Sequence, residues 1–495
     1  MQAEASAQLT KETVSQTLRT TVENATEDPN RPAYHLTPQA GFMGDPNGGI
    51  YVDGWYHIFY LHNPIAGTPG AWVWGHARSR DLLHWEHTEP GFLPAYELGI
   101  DSVGSGSTII GEGGQPIAFY STMFEGSMKF WRALGSRDLV DWRHEGKNPV
   151  LSLDHPGLPR FDKFWRDPFV FRVEERTFLI CCADLMDEPY VPVPIFEASD
   201  PDLTEWNYKG TLFTYPKHKL RNLEVPDFRP LGNKWLLVAS ADAPVDHTHG
   251  FVGDFDVENL TFTPTSEGPL DYSSHYYAQE TILDDKGDLY LLAWIPGWDR
   301  EGWPNYQEAD RKNTATWWNG CFAIPRRLSL SADGKLIQEP IRAIESLRTH
   351  PITLGRTELP VPDVGPAYTV LDEVRGNQIE IIAEMGLGTA SYCGMNVLCD
   401  TNGHGGMHIV WSGDQIIVDT LRVPIPEWKP GTPLDLRVFV DRVYVEVFVN
   451  GGKYCITRKV AERNVTGDRV ALTRLGGHAV LNTLGAWQLG AIRAE

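Results

Sequence analysis

A chain of 495 residues is longer than one hydrophobic core usually supports, and a hydrophobic fraction of 42% can fill more than one, so we expect two domains or a closed repeat with an appendage. The formal net charge of −22 argues against nucleic acid or an anionic membrane as a partner, because like charges repel. A neutral small molecule suits this charge better.

Residues 1–30 form a polar extension that lacks the basic and then apolar segments of a secretion signal. No apolar run reaches the roughly 18 residues that a membrane-spanning helix needs. We therefore expect a cytoplasmic protein, or a secreted one if a signal was removed. The six cysteines show neither a metal-binding spacing nor the density of a disulfide scaffold, and we expect them to be reduced.

Residues 31–347 contain a repeat. A serine followed closely by Asp-Leu-x-x-Trp occurs three times, ending at Trp85, Trp142 and Trp206. A unit therefore recurs about every 60 residues. Short apolar or alternating runs precede each copy and are broken by Gly, Asp and Asn turns, which is typical of strands. Units of this kind predict a five-bladed β-propeller, and we interpret the repeat residues themselves as structural turns between blades.

The composition changes after Leu347. Residues 348–366 include a Pro-rich stretch and are expected to be a linker. Residues 367–495 contain alternating strands with Gly and Asn turns, which favour a β-sandwich. The predicted fold is therefore all-β, a five-bladed β-propeller over 31–347 followed by a C-terminal β-sandwich.

Three carboxylates stand in short turns marked by Pro or Gly. Asp45 begins Asp-Pro-Asn-Gly, Asp167 lies in Arg-Asp-Pro, and Glu224 begins Glu-Val-Pro-Asp. The innermost strands of a propeller converge on its axis, so acids far apart in sequence can meet at one mouth. Glycoside hydrolysis needs one carboxylate at the anomeric carbon and one carboxylic acid that protonates the leaving oxygen. Each turn alone is an ordinary signal, but together they favour one sugar-cleaving pocket.

These elements resemble the glycoside hydrolase family of invertases, inulinases and levanases, glycoside hydrolase family 32, whose members join a five-bladed propeller to a β-sandwich. Phe-Met-Gly-Asp-Pro-Asn-Gly at 42–48 is similar to the family's Trp-Met-Asn-Asp-Pro-Asn-Gly, and the segments at 165–168 and 223–227 are similar to its Arg-Asp-Pro and Glu-Cys-Pro-Asp elements. The resemblance implies a retaining enzyme with Asp45 as nucleophile, Glu224 as acid/base and Asp167 holding fructose hydroxyls. It implies neither a metal nor an organic cofactor.

Residues in or beside the matched segments are expected to bind the sugar. Arg166 is expected to keep the carboxylate of Asp167 ionised. By resemblance, Trp74 and Trp294 are expected to line the pocket, because aromatic faces stack on sugar rings, while other tryptophans such as Trp72 are interpreted as core. The complete set of predicted substrate-binding residues is Gly44, Leu61, His62, Trp74, Ser105, Arg166, Tyr277 and Trp294.

Five positions depart from the family's hydrolytic pattern. Gly44 stands for an Asn, Leu61 for a Gln, Gly104 for a Phe, Val225 for a Cys and Glu280 for a Gln. With Gly44 and Leu61 the chain resembles the fungal sucrose-using fructosyltransferases of the family. The partition of a fructosyl-enzyme between water and a sugar acceptor is therefore open, with neutral drift in a hydrolase as the alternative.

The predicted function is a retaining β-fructofuranosidase that cleaves the terminal fructosyl unit of sucrose and short fructo-oligosaccharides. Alternatives are a fructosyltransferase that makes kestose-type sugars and an exo-inulinase or levanase on longer fructans. A non-catalytic sugar-binding propeller would be expected to lose Asp45 or Glu224, and an inverting arabinan-cleaving enzyme would lack the Asp-Pro-Asn-Gly element and the sandwich. The expected partner is a small sugar, with no nucleic acid and no membrane, and a homo-oligomer is left open.

Overall fold

The computed structural model describes residues 8–89, 91–124, 127–241, 247–297, 317–360, 365–461 and 464–492. Helix α1 (Lys11–Glu27) lies within the predicted polar extension. Thr10 caps it by accepting a hydrogen bond from the backbone of Thr13, and Val14 is buried against Val73. Within the described part of the chain, no helix is long and apolar enough to cross a membrane.

The propeller begins with two antiparallel sheets, which we call blade 1 and blade 2. The strands of blade 1 are β1 (Gly41–Val52), β2 (Trp55–Asn63), β3 (Val73–Ser79) and β4 (Trp85–His87). A short 3-10 helix (Tyr96–Leu98) follows. The strands of blade 2 are β5 (Gly106–Ile110), β6 (Pro116–Phe124), β7 (Ser127–Gly135), β8 (Trp142–Arg143) and β9 (Leu151–Ser152).

Blades 3 and 4 are regular four-stranded antiparallel sheets. The strands of blade 3 are β10 (Phe161–Val173), β11 (Arg176–Leu185), β12 (Tyr190–Ala198) and β13 (Trp206–Pro216). The strands of blade 4 are β14 (Glu224–Leu231), β15 (Lys234–Ala241), β16 (His247–Asp256) and β17 (Thr261–Pro269).

The fifth blade closes the propeller onto the first. Its strands are β18 (Tyr277–Leu283), β19 (Leu289–Ile295), β21 (Cys321–Phe322), β22 (Arg326–Leu330) and β23 (Leu336–Pro340). The intervening β20 (Trp318–Asn319) leaves this sheet and pairs in parallel with β1, where Trp318 lies opposite Gly41. A segment from within blade 5 thus pairs with the first inner strand on the side away from β2.

The repeat identified in the sequence forms the turn that leads from the third to the fourth strand of a blade. Asp81 accepts hydrogen bonds from the backbone N–H groups of Leu83 and His84, at 3.0 and 2.9 Å. The Leu of each copy has a positive φ, as at Leu139 and Leu203. The placement of these turns between blades is therefore wrong: they lie within blades, where the Asp satisfies the N–H groups of a tight corner.

The first strands of the blades, β1, β5, β10, β14 and β18, contact one another around a common axis. Each is joined to the next by a backbone N–H that donates to a side chain of the preceding blade. These bonds run from Gly106 to Asn47 Oδ1 (3.0 Å), Val170 to Ser107 Oγ (3.0 Å), Val225 to Asp167 Oδ2 (3.1 Å), Thr281 to Asp227 Oδ2 (2.7 Å) and Gly49 to Glu280 Oε1 (2.8 Å). Together the five bonds form a closed ring, and in each of them the donor lies on the blade that follows the acceptor's blade.

The C-terminal domain is a β-sandwich of two antiparallel sheets, entered through a 3-10 helix (Arg342–Leu347). One sheet contains β24 (Arg348–Leu354), β25 (Thr357–Glu358), β27 (Gln378–Gly386), β32 (Leu434–Asp441), β33 (Tyr444–Val449), β34 (Tyr454–Lys459) and β36 (Val480–Leu489). The other contains β26 (Pro366–Arg375), β28 (Tyr392–Cys399), β29 (Met407–Trp411), β30 (Gln415–Val418), β31 (Leu421–Pro424) and β35 (Arg469–Leu475).

The prediction of a linker over 348–366 is wrong at its start, because β24 pairs with β36 and is the edge of a sandwich sheet. Ile352 and Leu354 pack against the sandwich core, while Pro351 is accommodated because an edge strand need not offer every N–H to a neighbour. Residues 361–364 lie outside the described residues. The six cysteines are buried thiols.

A buried ionic cluster joins the two domains. The imidazole of His35 lies 2.8 Å from Asp441 Oδ2 through Nδ1 and 3.0 Å from Glu446 Oε1 through Nε2. The guanidinium of Arg326 contacts Asp271 Oδ2 at 2.8 Å and Glu446 Oε2 at 3.2 Å. Burial alone would lower the pKa of His35, but its two carboxylate partners raise that pKa to about 9. His35 is therefore an imidazolium at neutral pH.

Candidate active site

A cavity of about 510 Å³ opens where the innermost strands of the five blades begin. Each inner strand, or the position just before it, contributes one predicted residue to the cavity wall. These residues are Asp45, Ser105, Asp167, Glu224 and Tyr277. Acids separated by up to 179 positions in the chain therefore face one cavity, because every blade presents the same end of its first strand.

Local backbone distortions aim these side chains. The pairing of four of the five inner strands with their neighbours is interrupted, near Asp45, at Asp167, after Glu224 and after Tyr277. Asp167 itself has a φ of 58°, and Val225 has a φ of 42°. A left-handed φ is unfavourable for a β-branched residue such as Val225, and irregularities of this kind re-aim side chains beside active sites.

Asp45 is oriented by the blade that follows it. The hydroxyl of Ser105 donates a hydrogen bond of 2.9 Å to Asp45 Oδ2. The side chain of Asn47 donates to the backbone carbonyl of Asp45 at 2.8 Å and accepts from the N–H of Gly106 at 3.0 Å. The Asp-Pro-Asn-Gly turn is thus attached to blade 2, which places a half-buried carboxylate at the cavity wall.

Glu224 is surrounded by three hydrogen-bond donors. Arg166 Nη2 contacts Glu224 Oε1, which also accepts a hydrogen bond of 2.7 Å from Asn222. The hydroxyl of Tyr277 donates to the other oxygen, Oε2, at 2.8 Å. Because donors from blades 3 and 5 and from the segment before β14 hold it, the carboxyl group has a fixed orientation at the cavity.

Asp167 is the most buried of the three acids. Its Oδ2 accepts the N–H of Val225 at 3.1 Å and lies 3.5 Å from Arg166 Nε. Burial raises the pKa of Asp167 to about 7, and the nearby charges of Glu224 and Asp45 raise it as well, although Arg166 opposes the shift. The pKa thus moves opposite to the expectation from Arg166, because the cost of burying the charge exceeds the attraction of one cation.

An aromatic wall faces the acids. The ring of Phe42 lies 5.5 Å from that of Trp72 and 5.7 Å from that of Trp294, and all three side chains line the cavity. Trp72 is therefore not a core residue as interpreted from the sequence. Gly44, Leu61 and Arg166 also lie at the cavity wall, together with Ser105, Tyr277 and Trp294 from the predicted set.

Two predicted binding residues do not line the cavity. Trp74 is completely buried beside Phe59, and its indole N–H donates to the carbonyl of Gly104 at 2.9 Å, so it supports the wall from behind. His62 is buried with Nδ1 2.8 Å from the carbonyl oxygen of Phe42, and burial lowers its pKa to about 4. The strands turn both side chains into the blade, so neither lies at the cavity wall where a sugar contact was expected.

Glu280 also lies away from the cavity. Its Oε1 accepts the N–H of Gly49, and burial, reinforced by the charge of Asp227, raises its pKa well above the usual range. A neutral Glu280 can take the place of the family's Gln in the ring between blades. The carboxyl therefore adds no charge to the cavity.

The sequence motifs missed several cavity residues. These residues are Pro69, Ser102, Ser121, Thr122, Met123 and Met128. They lie between strands or on the hairpin of blade 2, outside the motif turns. The one sequence signal that could have found some of them is their position three residues or fewer from a matched segment, as Ser102 is from Ser105.

A five-bladed propeller followed by a β-sandwich, with three acids and an arginine at the mouth of its axis, defines a glycoside hydrolase of the β-fructofuranosidase type. The chain belongs to glycosyl hydrolases family 32: the model of the family's N-terminal domain matches residues 35–340, and that of its C-terminal domain matches residues 343–488. This membership excludes the arabinan-cleaving alternative.

Relatives extend over nearly the whole chain. A sucrose-6-phosphate hydrolase of Zymomonas mobilis is 27% identical and covers 92% of both chains. A raffinose invertase of Escherichia coli is also 27% identical, covering 92% of this chain and 95% of its own. The crystal structure of fructan 1-exohydrolase IIa from Cichorium intybus shares the fold with a TM-score of 0.79 at 21% identity, covering 94% of this chain and 98% of its own.

Proposed function

We propose that the enzyme cleaves the terminal β-fructosyl unit of sucrose and short fructo-oligosaccharides with retention of configuration. The observation that carries the proposal is the convergence of Asp45, Asp167 and Glu224 on one cavity of about 510 Å³. A cavity of this size is within the range that encloses small ligands. Relatives named for sucrose derivatives and raffinose support a fructoside as substrate.

In the proposed mechanism, a carboxylate oxygen of Asp45 forms a bond to C2 of the fructosyl unit while the bond from C2 to the glycosidic oxygen breaks. Glu224 gives its proton to that leaving oxygen and later removes a proton from the acceptor, whose oxygen displaces Asp45 from C2. Asp167 accepts hydrogen bonds from fructose hydroxyls. Arg166 offsets the charge of Asp167 and Glu224, the two acids that it contacts in partly desolvated surroundings.

We infer that an unphosphorylated sugar is preferred, although one relative is named a sucrose-6-phosphate hydrolase. Among the described residues at the cavity wall, Arg166 is the one Lys or Arg, and it is paired with Glu224 and Asp167. A phosphate group binds best where cationic donors are available to it. We expect kcat/KM for sucrose to exceed that for sucrose 6-phosphate, and the reverse order would overturn this inference.

A fructosyltransferase is the second candidate, favoured by the apolar wall at Gly44 and Leu61. A time course with concentrated sucrose separates the two functions. Equal glucose and free fructose mean hydrolysis, whereas excess glucose with accumulating trisaccharides means transfer.

The catalytic assignment is tested with Asp45→Ala and Glu224→Ala, which should each remove nearly all turnover while the protein remains folded. An active Asp45→Ala enzyme would contradict its role as nucleophile. Methanol added to the wild-type reaction tests the stereochemistry: retention gives methyl β-fructofuranoside, detected by nuclear magnetic resonance, and the α-anomer would exclude a retaining mechanism.

A further inference from the structure

Among the described residues, the cavity has a polar part and an apolar part. The acids, Arg166 and Tyr277 come from the inner strands of the blades. The remaining walls carry the side chains of Leu61, Pro69, Trp72, Met123 and Met128. The two regions face different parts of a bound fructoside, because its reacting C2 must lie at the acids.

Strand β6 leads from the base of the cavity to its mouth. Ser121 is buried near the base, where its Oγ lies 3.4 Å from the N–H of Asp167 and donates to the carbonyl of Ser105 at 3.2 Å. Two residues further on, Met123 is 53% exposed and pairs across the hairpin with Met128. The two methionines therefore lie on a more exposed part of the cavity wall than the buried Ser121.

Hydroxyl groups on the same wall are used within the protein. Thr122 is almost completely buried, and its Oγ1 donates to the backbone carbonyl of Ser102 at 2.8 Å. The hydroxyl of Ser102 lies 3.3 Å from that same Oγ1. The thioethers of Met123 and Met128 lie near these hydroxyls on the described part of the wall and offer an apolar surface to a ligand.

An apolar entrance favours one kind of leaving group. A polar group that loses water without gaining a hydrogen bond is destabilised, whereas an alkyl or aryl group gains free energy when it leaves water. Methionine also adapts its shape to ligands of different outline and makes favourable contacts with aromatic rings. Trp72, which packs against Phe42 in the aromatic wall, adds a second apolar surface at the cavity.

We propose that Met123, Met128 and Trp72 form a subsite for apolar leaving groups and acceptors, so that alkyl and aryl β-fructofuranosides are donors and hydrophobic alcohols are acceptors. This inference rests on the proposed function. In transfer, the alcohol oxygen forms the bond to C2, its proton goes to Glu224, and the bond from C2 to Asp45 breaks to restore the carboxylate.

The test compares methyl and hexyl β-D-fructofuranoside as substrates of the wild-type enzyme. Each methylene buried against an apolar wall favours binding about fourfold, so two or more contacts should raise kcat/KM for the hexyl compound at least about tenfold above that for the methyl compound. A wild-type ratio of one or less would overturn the proposal. If the enzyme cleaves neither of the two alkyl fructosides nor sucrose, the proposed function itself is overturned.

Methionine variants locate the effect. Met123→Gln and Met128→Gln retain the length of the side chain, and each should lower the hexyl-to-methyl ratio of kcat/KM by about fivefold, because the bound hexyl group would desolvate an amide instead of contacting a thioether. Met186→Gln is the matched control, since Met186 is 47% exposed on blade 3 and lies outside the cavity. An unchanged ratio in both cavity variants, or an equal loss in the control, would contradict the assignment.

Discussion

The hydroxyl of Ser105 and the carboxylate of Asp45 are joined by a hydrogen bond of 2.9 Å across the boundary between blades 1 and 2. A hydroxyl that donates to a carboxylate stabilises its ionised form and fixes its direction. The proposed nucleophile therefore depends on a residue 60 positions away in the chain.

We expect Ser105→Ala to lower kcat/KM for sucrose by roughly ten- to hundredfold, since a hydrogen bond to a charged group contributes about 1.5–3 kcal/mol. Steady-state kinetics measures the loss, and circular dichroism checks the fold. Ser199→Ala, at an exposed serine on blade 3, serves as control. Wild-type kinetics in Ser105→Ala would show that the bond does not contribute to turnover.

Asp167→Asn should lose activity but should be more stable than the wild type at alkaline pH. Because burial raises the pKa of Asp167 to about 7, the folded protein keeps a proton that the unfolded chain loses near its ordinary value of 3.8. Stability therefore falls as pH rises from about 4 to about 7, by up to roughly 4 kcal/mol for this group. An uncharged Asn avoids this loss.

Thermal unfolding at about pH 4 and about pH 8 measures this effect, since the variant should melt higher than the wild type at the upper pH and similarly at the lower. Asp187→Asn is a matched control, because Asp187 also has a positive φ, 67°, but is exposed. A variant that melts no higher than the wild type at about pH 8 would refute the effect.

His35 should make the protein less stable in alkali. Burial opposes its protonation, but hydrogen bonds to Asp441 and Glu446 raise its pKa to about 9, so its stabilising contribution is complete below about pH 6.5 and is lost as pH rises through about 9. His35→Gln should be less stable by about 3–5 kcal/mol at about pH 6, because it removes the cation that contacts the buried carboxylate of Asp441. The difference in unfolding free energy between His35→Gln and the wild type should become smaller above about pH 9.

Urea unfolding at the two pH values measures the effect of His35→Gln. His84→Gln, which changes an exposed histidine paired with Asp81, should alter the unfolding free energy by less than about 1 kcal/mol. Equal stability of His35→Gln and the wild type at about pH 6 would show that the cluster does not need the imidazolium.

Restoring two amides should favour water as the acceptor. A Cβ atom at Gly44 would lie 3.0 Å from Phe42 Cε1 and 3.4 Å from Leu61 Cβ, so an Asn there requires a small shift of the Phe42 ring. In the double variant Gly44→Asn with Leu61→Gln, two amides can hold a water molecule at the cavity. The ratio of free fructose to glucose in concentrated sucrose should rise several-fold, while exposed Leu98→Gln should leave it unchanged.

The acids were predictable because each stands at an irregularity of an inner strand that Pro or Gly marks in the sequence. The position of Trp74 was not, since alternation along β3 does not tell which face of the strand meets the next blade. Met123 and Met128 carry no motif, and the hairpin brings them to the entrance only after blade 2 has packed beside blade 3.

The propeller and the sandwich were predictable from strand periodicity and turn residues. The elements at the domain boundaries, α1 and β24, were not. α1 carries a Thr-rich polar surface and buries few side chains, so its packing depends on Val73 and on Trp318 from the closing segment. β24 contains a proline, which makes an edge strand resemble a linker in the sequence.

The one-directional ring of hydrogen bonds has a consequence for biosynthesis. Its last bond, from Gly49 to Glu280, joins positions 231 residues apart, and β20 then pairs with β1 from still later in the chain. Contacts between such distant segments form late, after the intervening chain has been synthesised and packed. A growing polypeptide that already carries all three acids is therefore expected to remain inactive on the ribosome until the fifth blade has left it. The moment at which sugar cleavage first appears would then report when the propeller closes.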